Sequence, residues 1–226
     1  MTMEDDVLRV QNPESEIPGL YMSHYEQLVT GSAISPEIVR ERGYRTVFGK
    51  STLKDLGFAR QQQRFPGLLI PIYPPGMDKP GLHQYKPDNP REQKDGKKIK
   101  YETPADAGLR IDCPPRCQEA LRDPLIPLWI TEGVKKADSL ASRGLCAIAL
   151  MGVWGWRGTN DLGGKMVLAD MGNIAWNGRQ VYLVFDSDII TKTAVEQALK
   201  GLAMEAERRG APSVFIVPLE GGPNGE

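Results

Sequence analysis

The chain has little of the chemistry that most often marks a catalytic or metal centre: two histidines and three cysteines in 226 residues. An odd number of cysteines argues against a disulfide framework and for a reducing cytoplasm. Cys113 and Cys117 have the spacing of half a metal knuckle. A structural zinc site takes four ligands, however; no second cysteine pair follows, and only His24 and His83 remain as partners. No run approaches the roughly 20 apolar residues of a membrane-spanning helix. The acidic start, Met1-Thr2-Met3-Glu4-Asp5-Asp6, lacks the basic-then-apolar pattern of a signal peptide. Neither charge sign dominates: 28 Lys and Arg stand against 29 Asp and Glu. That balance excludes a protein that coats nucleic acid by overall charge and leaves room for a local basic channel. A Gly-x-x-x-x-Gly-Lys-Ser/Thr phosphate loop is also missing.

What is present is enough apolar residue, 40%, to bury a core in one large domain or two small ones. Residues 1–20 are acidic, hold Pro13 and Pro18, show no periodicity and read as a loose arm. Residues 21–120 read as a small α+β region. Ser35-Pro36-Glu37 opens a helix that Gly43 stops, Ser51 to Leu56 forms another, and Phe65 to Tyr73 carries a strand. Pro71 places that strand at a sheet edge. Between Arg91 and Lys100 the bases Arg91, Lys94, Lys97, Lys98 and Lys100 outnumber Glu92 and Asp95, and Asp95-Gly96 suits a hairpin between Tyr85-Lys86 and Ile99-Lys100-Tyr101. From residue 121 the texture becomes strand–helix alternation: strand 128–131, helix 135–143, strand 146–151, a Gly/Trp-rich loop 152–165, strand 181–185, helix 191–209, strand 214–218. Such an order predicts an α/β fold with a mainly parallel sheet flanked by helices.

Two acidic motifs close apolar runs in this second region. Leu128-Trp129-Ile130-Thr131 leads to Glu132-Gly133, and Val181-Tyr182-Leu183-Val184-Phe185 leads to Asp186-Ser187-Asp188. Carboxyl ends of parallel strands are where ligands gather in open α/β sheets. Asp186 and Asp188 lie on one side of an extended segment, because side chains alternate with period two. Three converging carboxylates repel unless a cation neutralises them, and hard oxygen donors suit Mg²⁺. Capping and helix-dipole roles are the simpler explanation for each acid taken alone.

Taken together, strand-Glu-Gly-helix, strand and strand-Asp-x-Asp-helix resemble the TOPRIM domain of topoisomerases, bacterial-type primases and some nucleases. Upstream, Leu68-Leu69-Ile70-Pro71-Ile72, Gln84-Tyr85-Lys86-Pro87-Asp88 and Lys100-Tyr101-Glu102-Thr103-Pro104 resemble the segments that precede TOPRIM in the bacterial-type primase core. Glu132-Gly133-Val134-Lys135-Lys136-Ala137-Asp138 is similar to a stretch of phage and plasmid replication proteins. The resemblance implies a Rossmann-like TOPRIM domain over 121–226 and a primase-like α+β subdomain before it. It also implies a Mg²⁺ or Mn²⁺ site at Glu132, Asp186 and Asp188, and phosphate contacts from Lys86, Lys100, Lys135 and Lys136. The implied partners are single-stranded DNA, nucleoside triphosphates and a replicative helicase, with no membrane. Where cellular primases carry an Asp four residues after the Glu, this chain has Lys136. Related sequences continue past this chain's last residue into a Lys-rich segment and a further Asp pair, so a truncated TOPRIM domain and a natural short form both stay open. Nuclease or nickase chemistry on the same metal, and a non-catalytic assembly module, stay open too. Trp154 and Trp156 are candidate base platforms, and His24 and His83 are expected at the surface.

Overall fold

The computed structural model describes residues 13–186 and 193–219, which fall into two compact units. One comprises residues up to Ile72 together with Pro80–Gly108; the other comprises Tyr73–Lys79 together with the chain from Leu109 onward.

Among its described residues the first unit holds three short helices, α1 (Met22–Val29), α2 (Pro36–Arg42) and α3 (Lys50–Asp55), with the antiparallel strands β1 (Arg45–Val47), β2 (Gly67–Ile72) and β3 (Leu82–Pro87) in the order β1-β2-β3. Helix α2 begins and ends as its sequence dictates. Ser35 accepts a hydrogen bond from the Ile38 N–H, Pro36 occupies the first turn, and Gly43 closes the helix at φ 77°. Strand β2 is central and wholly buried, which corrects the edge position expected from Pro71. The reason is the brevity of β1, which pairs only with Gly67, Leu68 and Leu69. Pro71 lies beyond its reach, pairs with His83 on the other side, and gives its carbonyl to Arg42 Nη1 at 3.0 Å. The core between strands and helices is Val47, Leu53, Phe58, Leu69 and Tyr85, with Phe58 edge-on to Tyr85 at 5.9 Å.

Residues 13–20 are not loose. Ile17 and Leu20 are buried, Ser15 Oγ donates to the Leu20 carbonyl at 2.7 Å, and Glu14 bridges to Tyr21. The expected hairpin forms around Gly96, at φ 81°, with Glu92 bridging to Lys98 and Glu102 to Tyr85.

The second unit is built on four strands, β4 (Leu128–Glu132), β5 (Cys146–Leu150), β8 (Gln180–Asp186) and β9 (Ser213–Leu219). They are all parallel and ordered β5-β4-β8-β9. Nearly continuous apolar runs in β4, β5 and β8 are what strands buried on both faces require. Helix α4 (Val134–Ala141) joins β4 to β5. It packs Ala137 against Ala147 and Ala149, small residues that let helix and sheet approach closely. Helix α5 (Thr193–Arg208) precedes β9 and buries Ala198, Leu199, Leu202 and Ala206 on one face. Trp129, Tyr182 and Phe215, in register on three neighbouring strands, stack at 4.4 and 5.1 Å. The stretch read as a Gly/Trp-rich loop contains a small hairpin, β6 (Arg157–Thr159) with β7 (Lys165–Val167). Its three-residue strands are too short to show alternation. Among the described residues no helix is long and apolar enough to cross a membrane.

Candidate functional site

The sheet of the second unit fixes where its acids can go. Strand β4 ends on Glu132 and is flanked on one side by β5 and on the other by β8. Thr131 is level with Val184, so Glu132 and Asp186, the last residue of β8, finish at the same edge of the sheet on adjacent parallel strands. Gly133 adopts φ 87°, a conformation that L side chains rarely adopt, and its N–H donates to the Leu150 carbonyl at 3.0 Å. The chain therefore leaves β4 abruptly and enters α4 at Val134, which holds the half-buried Glu132 at the rim. Ser187 and Asp188 lie outside the described residues. Among the described residues no three His, Cys, Asp or Glu side chains form a group able to hold a metal ion.

Lys135 and Lys136 occupy the first turn of α4, half-buried, each with polar or charged neighbours of its own. That turn has no acidic residue. Two ammonium groups thus sit at the positive end of the helix dipole, where cations cost about 0.3–1 kcal/mol each. Lys86 and Lys100 belong to the first unit. Lys86 donates from Nζ to Gln27 Oε1 at 2.6 Å; burial draws its pKa below the usual lysine value, and the Lys100 charge adds to that lowering. Lys100 itself is exposed.

Other candidates change character. His24 is buried rather than at the surface, held between Thr46 Oγ1 at 2.8 Å and Asp88 Oδ1 at 2.9 Å. His83 is half-buried, and burial, with the Arg45 charge, lowers its pKa. The three cysteines are buried thiols: Cys117 Sγ accepts from the Ala147 N–H at 3.5 Å, and its hydrogen bond with Cys146, together with burial, pushes the Cys146 thiol far up. Trp156 is buried, and the Arg157 guanidinium lies 3.6 Å over the Trp154 ring. One face of Trp154 is thereby already occupied by a cation–π contact.

Lys50, Lys54, Arg60 and Arg64, which no sequence motif marks, line one concave surface of the first unit with Arg91. Their spacing along the chain was the available signal. Lys50 and Lys54 are one helical turn apart, and Arg60 and Arg64 repeat the interval.

A family model described as a domain of unknown function, DUF3854, matches residues 118–225, a span that contains the whole four-stranded sheet. An uncharacterized protein of Picosynechococcus sp. strain PCC 7002 is 30% identical over 242 residues, an alignment covering 84% of this chain. The chain spans 24% of the length of that relative. The crystal structure of the Aquifex aeolicus primase (zinc binding and RNA polymerase domains) superposes with a TM-score of 0.58 at 15% identity. That superposition covers 95% of this chain and 53% of the primase chain. The fold is primase-like.

Proposed function

We propose that this chain is the core of a primase-like nucleotidyltransferase that joins nucleoside triphosphates into short primers on single-stranded DNA. One observation carries the reading: two acids of the sequence motif, Glu132 and Asp186, end adjacent parallel strands at one sheet edge, in a chain that follows a primase fold over 95% of its length. The residue types at those strand ends are hard oxygen donors, which fit Mg²⁺ or Mn²⁺. Glu132, Asp186 and Asp188 are the residues that would hold the ion. A divalent ion bound there supplies charge neutralisation on the transferring phosphate and activates the attacking hydroxyl.

The remaining roles belong to the chain's own groups. Glu132, held at the rim by the Gly133 turn, shares the metal site or takes the proton of the attacking hydroxyl, the two roles open to a carboxylate there. Lys135 and Lys136, in the first turn of α4, are the ammonium groups beside this edge that would hold a triphosphate or template phosphate. Lys86 and Lys100 contact template phosphates. A replicative helicase of the same system is the partner this reading implies.

The test is primer synthesis on single-stranded DNA with Mg²⁺ or Mn²⁺ and labelled nucleotides, wild type beside Asp186→Ala/Asp188→Ala. Short products that vanish in the double variant support the reading. Cleavage of labelled DNA without triphosphates moves the same carboxylates to a nuclease. DNA binding with no metal-dependent product from either protein marks a non-catalytic assembly module.

A further inference from the structure

The four-stranded sheet of the second unit treats its two edges differently. Strand β5, at one end, is wholly buried, and its outer edge is engaged at Ala149, which exchanges N–H···O bonds with Asp112 at 2.9 and 2.8 Å. Strand β9 ends the sheet on the other side, and among the described residues no segment but β8 pairs with it. An open edge presents a row of unpaired N–H and C=O groups, which soluble proteins blunt with charged side chains, bulges or very short strands. Strand β9 uses none of these over most of its length. It has seven residues, keeps an unbroken register with β8, and runs Ser213-Val214-Phe215-Ile216-Val217 without a charge. Phe215 and Ile216, which point to opposite faces, are 44% and 48% exposed.

The ring stack across the sheet leads to that open edge. Trp129 lies level with the small Ala147 of β5, and from it the rings of Trp129, Tyr182 and Phe215 stack strand by strand, with interplanar angles of 13° and 20°. The stack thus starts beside an alanine and stops at an exposed ring. We propose that β9 pairs antiparallel with β9 of a second copy of this chain, about a two-fold axis through Phe215. Such a contact is isologous, so a charged strand would meet a strand of its own charge; the uncharged run 213–217 meets no such repulsion. Side chains alternate between faces, so the axis passes through a residue and not between two. Centred on Phe215, it sets Phe215 opposite Phe215, Val214 opposite Ile216 and Ser213 opposite Val217 of the second copy. This register carries the ring stack from one sheet into the next and gives Phe215 and Ile216 apolar neighbours. Pro218, which has no N–H to donate, falls outside these pairs. The Asp112 bridge occupies the β5 edge, so assembly stops at two copies. Antiparallel pairing points the Glu132 and Asp186 ends of the two sheets in opposite directions, and the contact does not depend on the primase-like reading.

The test is sedimentation equilibrium of the full chain under reducing conditions, over roughly 1–300 μM, because so short a strand pair makes an interface of the small, weak class. A reversible monomer–dimer equilibrium is expected. Phe215→Lys and Phe215→Glu each set like charges opposite one another on the axis, and each is expected to weaken the dimer by at least about tenfold. An equimolar mixture of the two is expected to recover it, because opposite charges then face each other at the same pair. Met204→Lys, at a side chain 68% exposed on α5, is expected to dimerise as the wild type does. Phe215→Cys leaves the strand uncharged and serves should the charged variants fail to fold. On mild oxidation it is expected to cross-link into a covalent dimer, while Met204→Cys is not; the three native thiols are buried. A wild type that stays monomeric throughout, or that forms species larger than a dimer, overturns the proposal. So does a mixture of folded Lys and Glu variants that stays monomeric, or equal cross-linking of Phe215→Cys and Met204→Cys.

Discussion

Asp170→Ala isolates how the second unit closes on itself. Asp170 is almost fully buried in a short 3-10 turn, and both its oxygens are engaged. Arg110 donates from Nε at 3.0 and 3.1 Å and from Nη2 at 2.8 Å, and the Ile111 N–H donates at 2.9 Å. The two partners lose different amounts. Ile111 is wholly buried, so its N–H would be left without an acceptor at a cost of about 1–3 kcal/mol. Arg110, with its side chain 32% exposed, can turn to water, so its ion pair contributes about 1 kcal/mol. The sum is on the order of 3 kcal/mol. The segment concerned matters to the sheet, since the next residue, Asp112, pairs its backbone with Ala149 of β5 and accepts the Tyr73 N–H at 3.0 Å. Urea denaturation followed by tryptophan fluorescence reads this directly: all four tryptophans lie in the second unit, and Trp176 donates to the Met171 carbonyl beside Asp170. With m of about 1.5–2 kcal/mol per M, the midpoint should fall by about 1.5–2 M. A fall below about 0.5 M would mean that Ile111 and Arg110 find other partners, and the reasoning would be refuted.

Two further predictions use the same fluorescence. Thr131 Oγ1 is buried on β4 with no hydrogen-bond partner among the described residues, so Thr131→Val should stabilise the unit by about 1 kcal/mol; a loss of stability would show that the hydroxyl is satisfied. Glu205 accepts from Arg208 and Arg209 at 2.6–2.8 Å, and the Arg208 hydrogen bonds hold its carboxyl below the usual 4.5. A depressed carboxylate stabilises above its unfolded pKa and ceases to as pH falls through the folded one. Glu205→Gln should therefore cost about 1 kcal/mol at pH 7 and progressively less below pH 4.5, and a penalty constant from pH 7 to pH 3 would contradict the ion-pair account.

Local rules made much of this legible. The alternation of buried apolar runs and amphipathic helices after residue 121 gives the parallel sheet, and the Ser35-Pro36 and Gly43 signals bound α2. The errors come from partners distant in sequence. Pro71 sits in a central strand only because β1 begins at Arg45, opposite Leu69, and nothing near Pro71 announces where another strand begins. His24 is buried because Thr46 and Asp88, 22 and 64 residues away, supply its hydrogen bonds. Ile17 and Leu20 anchor a segment whose acids and prolines look like those of a free arm. In the candidate site, the strand ends of Glu132 and Asp186 follow from apolar runs that stop at an acid. The basin around Lys54 and Arg60 does not, because its cations come from a helix, a 3-10 turn and two loops whose convergence no single window contains.

The central claim, that the carboxyl edge of the parallel sheet holds a divalent ion, is tested most directly by Mn²⁺ binding followed by electron paramagnetic resonance. Wild type would be titrated beside Glu132→Gln and Asp186→Asn, with denaturation midpoints recorded for all three. The account predicts saturable Mn²⁺ binding by the wild type that weakens at least tenfold in each variant, about 1.4 kcal/mol, with folding retained. Equal Mn²⁺ affinity in all three proteins would contradict it.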